Sequence, residues 1–225
     1  MVTVELDVGE LGARGVNAAL RELAPGSSAV LRNPGGAHNL AVGLDAEVNV
    51  LIDGPAGYYA GGLSKLARIT VGGPAGWGAG ENLMSGTVLV RGDASQSLGA
   101  SAHGGVVIVE GSASLRAGIS LKGATLAVAG DVGAFTGFMA QAGTILVGGD
   151  AADGLGDSLY EAVIYVAGRI HGLGADAQVE EVSASDVRVV RDLVKLTGFD
   201  HIDPENVIRV ASARRLYHFS AGGHL

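Results

Sequence analysis

The chain has no cysteine. It can therefore carry no disulfide, no thiolate nucleophile and no cysteine-held iron–sulfur cluster. Aromatic residues make up only 4% of it, with a single Trp, which points to a thin core without room for stacked rings. Basic residues are outnumbered, 15 Lys and Arg against 23 Asp and Glu, for a net charge of −8. That balance argues against a nucleic-acid or anionic-membrane surface. No run of about 18 apolar residues occurs, so no membrane-spanning helix is expected. The opening Met1-Val2-Thr3-Val4-Glu5 has neither the basic region nor the apolar stretch of a signal peptide. The expected location is cytoplasmic.

What the chain has in excess is glycine, 38 of 225 residues, and the glycines are periodic. Steps of 19 from Gly54 land on Gly73, Gly92, Gly111, Gly130, Gly149 and Gly168. A second column runs Gly61, Gly80, Gly99, Gly118, Gly137, Gly156. Two residues before each glycine of the first column stand Ile52, Val71, Val90, Val109, Val128, Val147 and Val166. Two residues earlier stand Val50, Ile69, Val88, Val107, Leu126, Ile145 and Ile164. Collagen needs a period of three, and a flexible linker would lack the Val and Ile. A short fixed period without insertions means a solenoid. Each unit opens on a β-branched alternation such as Thr87-Val88-Leu89-Val90-Arg91, a strand signal. The expected fold is all-β: a right-handed parallel β-helix of about seven 19-residue coils, with an N-terminal cap and C-terminal helices. Strands stacked about 4.8 Å apart give a rod on the order of 30–40 Å long. The hexapeptide left-handed helix is disfavoured because 19 is not a multiple of six. The glycine after each strand is expected to turn a corner that needs positive φ or the absence of Cβ.

The chain divides into a cap with an irregular first coil (1–47), the repeats (48–174) and a C-terminal helical tail (175–225). Val2 to Leu6 and Ala29 to Leu31 read as strands, and Val16 to Leu23 as a helix stopped by Pro25-Gly26. Ser185 to Leu196 reads as a helix ending at Gly198. Asp203-Pro204-Glu205 reads as the start of another, an N-cap followed by Pro at the first position.

Signs of chemistry are sparse. Gly76-Trp77-Gly78-Ala79-Gly80 lacks the Lys-Ser/Thr of a phosphate loop and precedes no helix. The six His residues show no metal-ligand spacing, and no nucleophile-elbow pattern occurs. No insertions build the groove walls of a pectate-lyase-like enzyme, and the Thr87, Thr125, Thr144 column lacks the second Thr column of an ice-binding face. No catalytic, cofactor-binding or metal residue is therefore assigned to this chain. Two features suggest contact with something else. The outward column Leu51, Thr70, Leu89, Ile108, Ala127, Leu146, Tyr165 is mostly apolar, so the protein's own ends or another chain must cover it. Near-unique residues also interrupt the repeat: Tyr58, Tyr59, Trp77, Glu81, Asn82, Met84, Gln96, His103, Lys122, Met139, Gln141, Asp157 and Tyr160. The candidate interface set is Tyr58, Tyr59, Asn82, Met84, Asp157 and Tyr160, with Arg214, Arg215, Tyr217 and Phe219 from the tail.

The segments His38-Asn39-Leu40-Ala41-Val42-Gly43, Gly57-Tyr58-Tyr59-Ala60, Glu81-Asn82-Leu83-Met84-Ser85-Gly86, Ala94-Ser95-Gln96-Ser97 and Gly118-Ile119-Ser120-Leu121-Lys122-Gly123 carry a family resemblance. So do Phe138-Met139-Ala140-Gln141-Ala142-Gly143, Gly156-Asp157-Ser158-Leu159-Tyr160-Glu161-Ala162 and Ser212-Ala213-Arg214-Arg215-Leu216-Tyr217. With them the chain resembles the GXGXG domain, the glycine-rich β-helix of the glutamate synthase large subunit. It is more similar to the stand-alone GlxC-type subunits, which include the small subunit of N-methylglutamate synthase. The resemblance implies a noncatalytic scaffold. Its expected partners are a glutaminase-type (class-II glutamine amidotransferase-like) subunit and a glutamate synthase-like subunit that holds FMN and an iron–sulfur cluster. It also implies a possible share in the wall of an ammonia or amine passage. Two alternatives stand beside it. One is a self-associating structural β-helix. The other is a component like the β-helical member of a formylmethanofuran dehydrogenase/formyltransferase complex.

Overall fold

The computed structural model describes residues 3–214. The chain opens with β1 (Thr3–Asp7), α1 (Val8–Arg21) and β2 (Ser28–Arg32). Seven strands then recur along the repeats: β3 (Asn49–Ile52), β4 (Arg68–Val71), β5 (Thr87–Val90), β6 (Val106–Val109), β7 (Lys122–Val128), β8 (Ala142–Val147) and β9 (Val163–Val166). It closes with β10 (Ala177–Glu180), α2 (Ala184–Thr197) and β11 (Ile208–Ser212). Strands β1 to β9 pair in parallel in chain order, then β11 pairs antiparallel with β9 and β10 with β11. The fold is a parallel β-solenoid of about seven turns with one helix at each end.

The 19-residue period is the pairing register itself: Val50 faces Ile69, Ile69 faces Val88 and Val88 faces Val107. Both columns assigned to the interior are buried from Val50 and Ile52 to Ile164 and Val166. Each such side chain contributes about 1.5–3 kcal/mol by leaving water. A second wall is a ladder of single bridges, Ala56–Ala75–Ala94–Ala113–Val132–Ala151–Ile170. Small side chains there keep the coil narrow, which explains the scarcity of aromatic residues.

The two glycine columns differ in kind. In the first, only Gly54 has positive φ. The others are glycines because coils touch there: a Cβ on Gly92 would lie 2.8 Å from Pro74 N, and one on Gly149 2.7 Å from Gly130 C. Close stacking, not corner geometry, sets that column. The second column is left-handed throughout, with φ from 61° to 73°, and a Cβ on Gly118 would also meet Ile145 Cδ1 at 2.8 Å. It lies at the centre of a left-handed arc. The positions two residues before and two after it are left-handed as well, as at Ser97 (φ 58°) and Ser101 (φ 53°) around Gly99.

The ends depart from expectation in two places. Helix α1 starts earlier than its apolar stripe, because the Asp7 carboxylate accepts from Glu10 N at 3.1 Å. Its buried Asn17 donates to Asn39 O at 2.6 Å and accepts from Val42 N at 3.2 Å, tying the helix to the first coil. Helix α2 matches its stripe, with a Ser183–Asp186 capping box and left-handed Gly198 at its end. The helix expected from Asp203 does not form. Asp203 Oδ1 accepts from Glu205 N at 3.0 Å and closes a turn instead, and the β-branched run after it becomes β11. Among the described residues, the C-terminal region thus carries one helix. The solenoid register continues past Gly168 within the expected repeat region, through bridges Ala151–Ile170 and Leu155–Leu173.

The outward apolar column meets two fates. Ile108, Ala127, Leu146 and Tyr165 lie buried beneath Val190 and Leu193 of α2 together with Phe199, Ile202 and Val207. Leu89 is half-buried against the rim of that cover, and Leu51 and Thr70 remain half-buried beside Val30, Arg68 and Arg91 in an open groove of about 260 Å³. A polar latch fastens the cover. Tyr165 Oη donates to Asp186 Oδ1 at 2.6 Å, Arg209 Nε donates to the same oxygen at 3.1 Å, and Arg209 also pairs with Glu180. Burial alone would push the Asp186 carboxyl up, but donation from Ser183 and Tyr165 and the Arg209 charge hold it well below the usual carboxylate range. Burial, then the Asp186 contact, pushes the Tyr165 phenol up to about 12.

Candidate interaction surface

Because every coil runs through the same arc, residues 19 apart stack into columns on its outside. The 58-type column is Tyr58, Trp77, Gln96, Leu115, Ala134, Asp153, and the left-handed column beside it is Tyr59, Gly78, Ser97, Arg116, Phe135, Gly154. Further along, the left-handed 63-type column reads Leu63, Asn82, Ser101, Ser120, Met139, Ser158. Gly, Asn and Ser suit such backbone. Tyr59, Leu63, Phe135 and Met139 do not: left-handed φ costs a bulky residue on the order of 1 kcal/mol or more. Leu63, Phe135 and Met139 are also exposed. Each spends conformational strain to hold an apolar side chain in water, which the coil itself does not require.

The densest part of this surface lies on the first coils. His38 Nδ1 accepts from Tyr58 N at 3.1 Å, and the two rings stack with centroids 3.9 Å apart at 21°. Gly57 makes room for that ring, since a Cβ there would overlap His38. Trp77 sits one coil below Tyr58 and is 60% exposed. Two adjoining clefts share these rings. One, of about 360 Å³, is lined by His38, Gly57, Tyr58, Gly76, Trp77 and Ser95. The other, of about 420 Å³, is lined by Tyr58, Tyr59, Trp77, Gly78, Glu81 and Ser97. Burial pushes the Glu81 carboxyl up. The glycines around Trp77 serve stacking and left-handed backbone: a Cβ on Gly76 would lie 2.6 Å from Gly57 C, and Gly78 and Gly80 have φ of 64° and 68°. No helix follows them, as a phosphate loop would need.

The interface residues expected from the sequence do not form one cluster. Tyr58 and Tyr59 line the clefts, and Asn82 and Met84 follow Glu81 on the same turn. Asp157 and Tyr160 belong to a turn four periods further down. Asp157 is engaged within the chain, accepting from Ser158 Oγ at 2.9 Å and from Ala175 N at 3.2 Å. Tyr160 and Met84 are exposed in one column with His103, Lys122 and Gln141. Arg214 pairs with Asp176 at 2.5 Å while staying largely exposed. Arg215, Tyr217 and Phe219 lie outside the described residues. His38 was missing from the expected set because the first coil is longer than the others, with Ser28 paired to Asn49, 21 positions on, so the 19-residue step does not align His38 with Tyr58. Among the described residues, no group of three or more His, Asp or Glu could hold a metal ion, and no helix is long and apolar enough to cross a membrane.

No family model matches the chain. A stretch of 66 residues is 40% identical to Protein GlxC of Rhizobium meliloti (strain 1021). The match spans 29% of this chain and 29% of that protein.

Proposed function

We propose that this chain is a noncatalytic scaffold subunit of a glutamate-synthase-like complex in the cytoplasm. On this reading it joins a glutaminase-type amidotransferase subunit to a subunit that carries FMN and an iron–sulfur cluster. The observation that carries the proposal is the 40% identity to GlxC, in line with the resemblance borne by the Tyr-Tyr and Ser-Ala-Arg segments. The surface supports it: large apolar residues sit exposed in strained backbone along one side of a rod whose interior is already filled. Whether the assembled enzyme makes glutamate or an N-alkyl glutamate belongs to the partners' chemistry.

The test is co-expression with an amidotransferase-type chain and a flavin-synthase-type chain from the same genome, followed by size-exclusion chromatography. The expected result is one peak holding all three chains, and loss of the assembly when this chain is left out. A β-solenoid that elutes alone while the other two assemble without it overturns the proposal. The half-buried Leu51, Thr70 and Leu89 favour one second reading, self-association through that strip. It predicts a dimer of the isolated chain that a Leu51→Asp, Leu89→Asp variant abolishes.

A further inference from the structure

The cleft between Tyr58, Tyr59 and Trp77 has a chemical character of its own. Glu81 does not point away from the coil. Its Oε2 lies 2.6 Å from where a Cβ on Gly78 would stand, and Tyr59 Cδ2 is 3.6 Å from that same point. Gly78 is therefore a notch in the left-handed column, and the Glu81 carboxylate rests in it against the flank of Tyr59. Among the described residues that carboxylate has no hydrogen-bond or ion-pair partner. Tyr58 is held by its stack on His38, and Trp77 presents its ring to solvent one coil below.

A half-buried carboxylate without a counter-ion, between exposed π faces, is an arrangement that favours an organic cation. The chain's net charge of −8 draws cations toward it. The cleft's breadth narrows the choice. It spans two coils and is open to solvent, so a small ammonium ion would keep most of its hydration there. A guanidinium is planar, weakly hydrated and able to stack on a ring while its edge meets a carboxylate with two N–H groups.

We propose that this cleft receives an arginine side chain of a partner protein, with the guanidinium stacked on Trp77 and paired with Glu81. The idea of a partner rests on the scaffold reading above, but the site can be tested on the isolated chain. Trp77 is the only Trp of the chain, so its fluorescence reports this site alone. The probe is the peptide acetyl-Gly-Arg-Gly-amide, titrated at constant ionic strength, with acetyl-Gly-Gln-Gly-amide and methylammonium chloride as the other arms. The expected result is a saturable change with the arginine peptide and none with the glutamine peptide. Glu81→Gln should weaken it ~tenfold, and the distant Gln141→Ala should leave it unchanged. Binding should also set in above the ordinary carboxylate range as pH rises, because burial holds the Glu81 proton longer. No saturable change, or equal affinity for Glu81→Gln with its native circular dichroism intact, overturns the proposal. Methylammonium binding as tightly as the peptide also overturns it, in favour of a small-amine site. Failure of the three-chain complex to form would leave the titration result standing, so the two proposals fail separately.

Discussion

The glycine columns make opposite demands, and a pair of alanine substitutions separates them. Gly92 has an ordinary φ, but its missing Cβ would stand 2.8 Å from Pro74 N, 3.0 Å from Gly73 C and 3.1 Å from Pro74 Cα. All three are backbone atoms of the coil above, so no side-chain rotation relieves the contact. Ordinary contact begins at about 3.4 Å, so the coils must part by roughly half an ångström at a point where Gly92 N–H already reaches Gly73 O across 3.3 Å. Overpacking of this kind costs about 1–3 kcal/mol. Alanine narrows the unfolded ensemble and returns about 0.4–1 kcal/mol, which leaves a net loss of about 2 kcal/mol. Gly26 is the reverse case, with φ of +82° and nothing within 4 Å of its Cβ position. There alanine meets only left-handed strain, about 1 kcal/mol, largely offset by the same unfolded-state term. At about 2–4 °C per kcal/mol for a chain of this size, Gly92→Ala should lower Tm by about 4–8 °C and Gly26→Ala by about 2 °C or less. Thermal melts followed by circular dichroism read the difference. A neutral Gly92→Ala, or a Gly26→Ala that costs more, would refute the reading that coil contact dictates the first column.

Three further outcomes follow from named contacts. Tyr165 has its phenol pushed up to about 12 against about 10 when unfolded; the stability it lends is whole below pH ~10 and disappears as pH rises through ~12. Alkaline denaturation of Tyr165→Phe should therefore be flatter over that window, with a loss near neutrality of about 1–3 kcal/mol for the missing hydrogen bond to a charged acceptor, while Arg209 stays on Asp186 Oδ1. Phe199→Ala should cost about 3 kcal/mol and raise binding of an apolar dye, since Phe199 covers the strip from Ile108 to Tyr165. Met139→Asn puts a left-handed-tolerant residue where Asn82 already stands in the same column. It should hold or slightly raise Tm while weakening co-elution with the partners; a lower Tm with unchanged co-elution would assign Met139 to the fold.

The repeat was legible because stacking gives each residue the same neighbours as those 19 positions away, so Val50 and Ile164 face one environment and read alike. The left-handed arc was only partly legible. Its central column is glycine, but Arg116, Phe135 and Met139 in the flanking columns carry no conformational signature. Asp203-Pro204-Glu205 misled because Asp before Pro suits a helix N-cap and a tight turn equally. The alternating Val207-Ile208-Arg209-Val210 then finds an open strand edge at β9. The latch of Tyr165, Asp186 and Arg209 draws on three elements, and the greater length of the first coil hid the His38–Tyr58 stack. Neither leaves a trace in a periodic reading.

A stack of identical coils has no built-in last member, and this chain supplies one. Strand β11 runs against β9, and the outermost strand β10 presents Gln178, Val179 and Glu180. At the other end β1 offers Thr3, Glu5 and Asp7. Both edges carry carboxylates, Glu5 and Asp7 on one and Glu180 on the other, and like charge makes them a poor template for each other. Like charge at the two described ends works against head-to-tail pairing of one rod on the next.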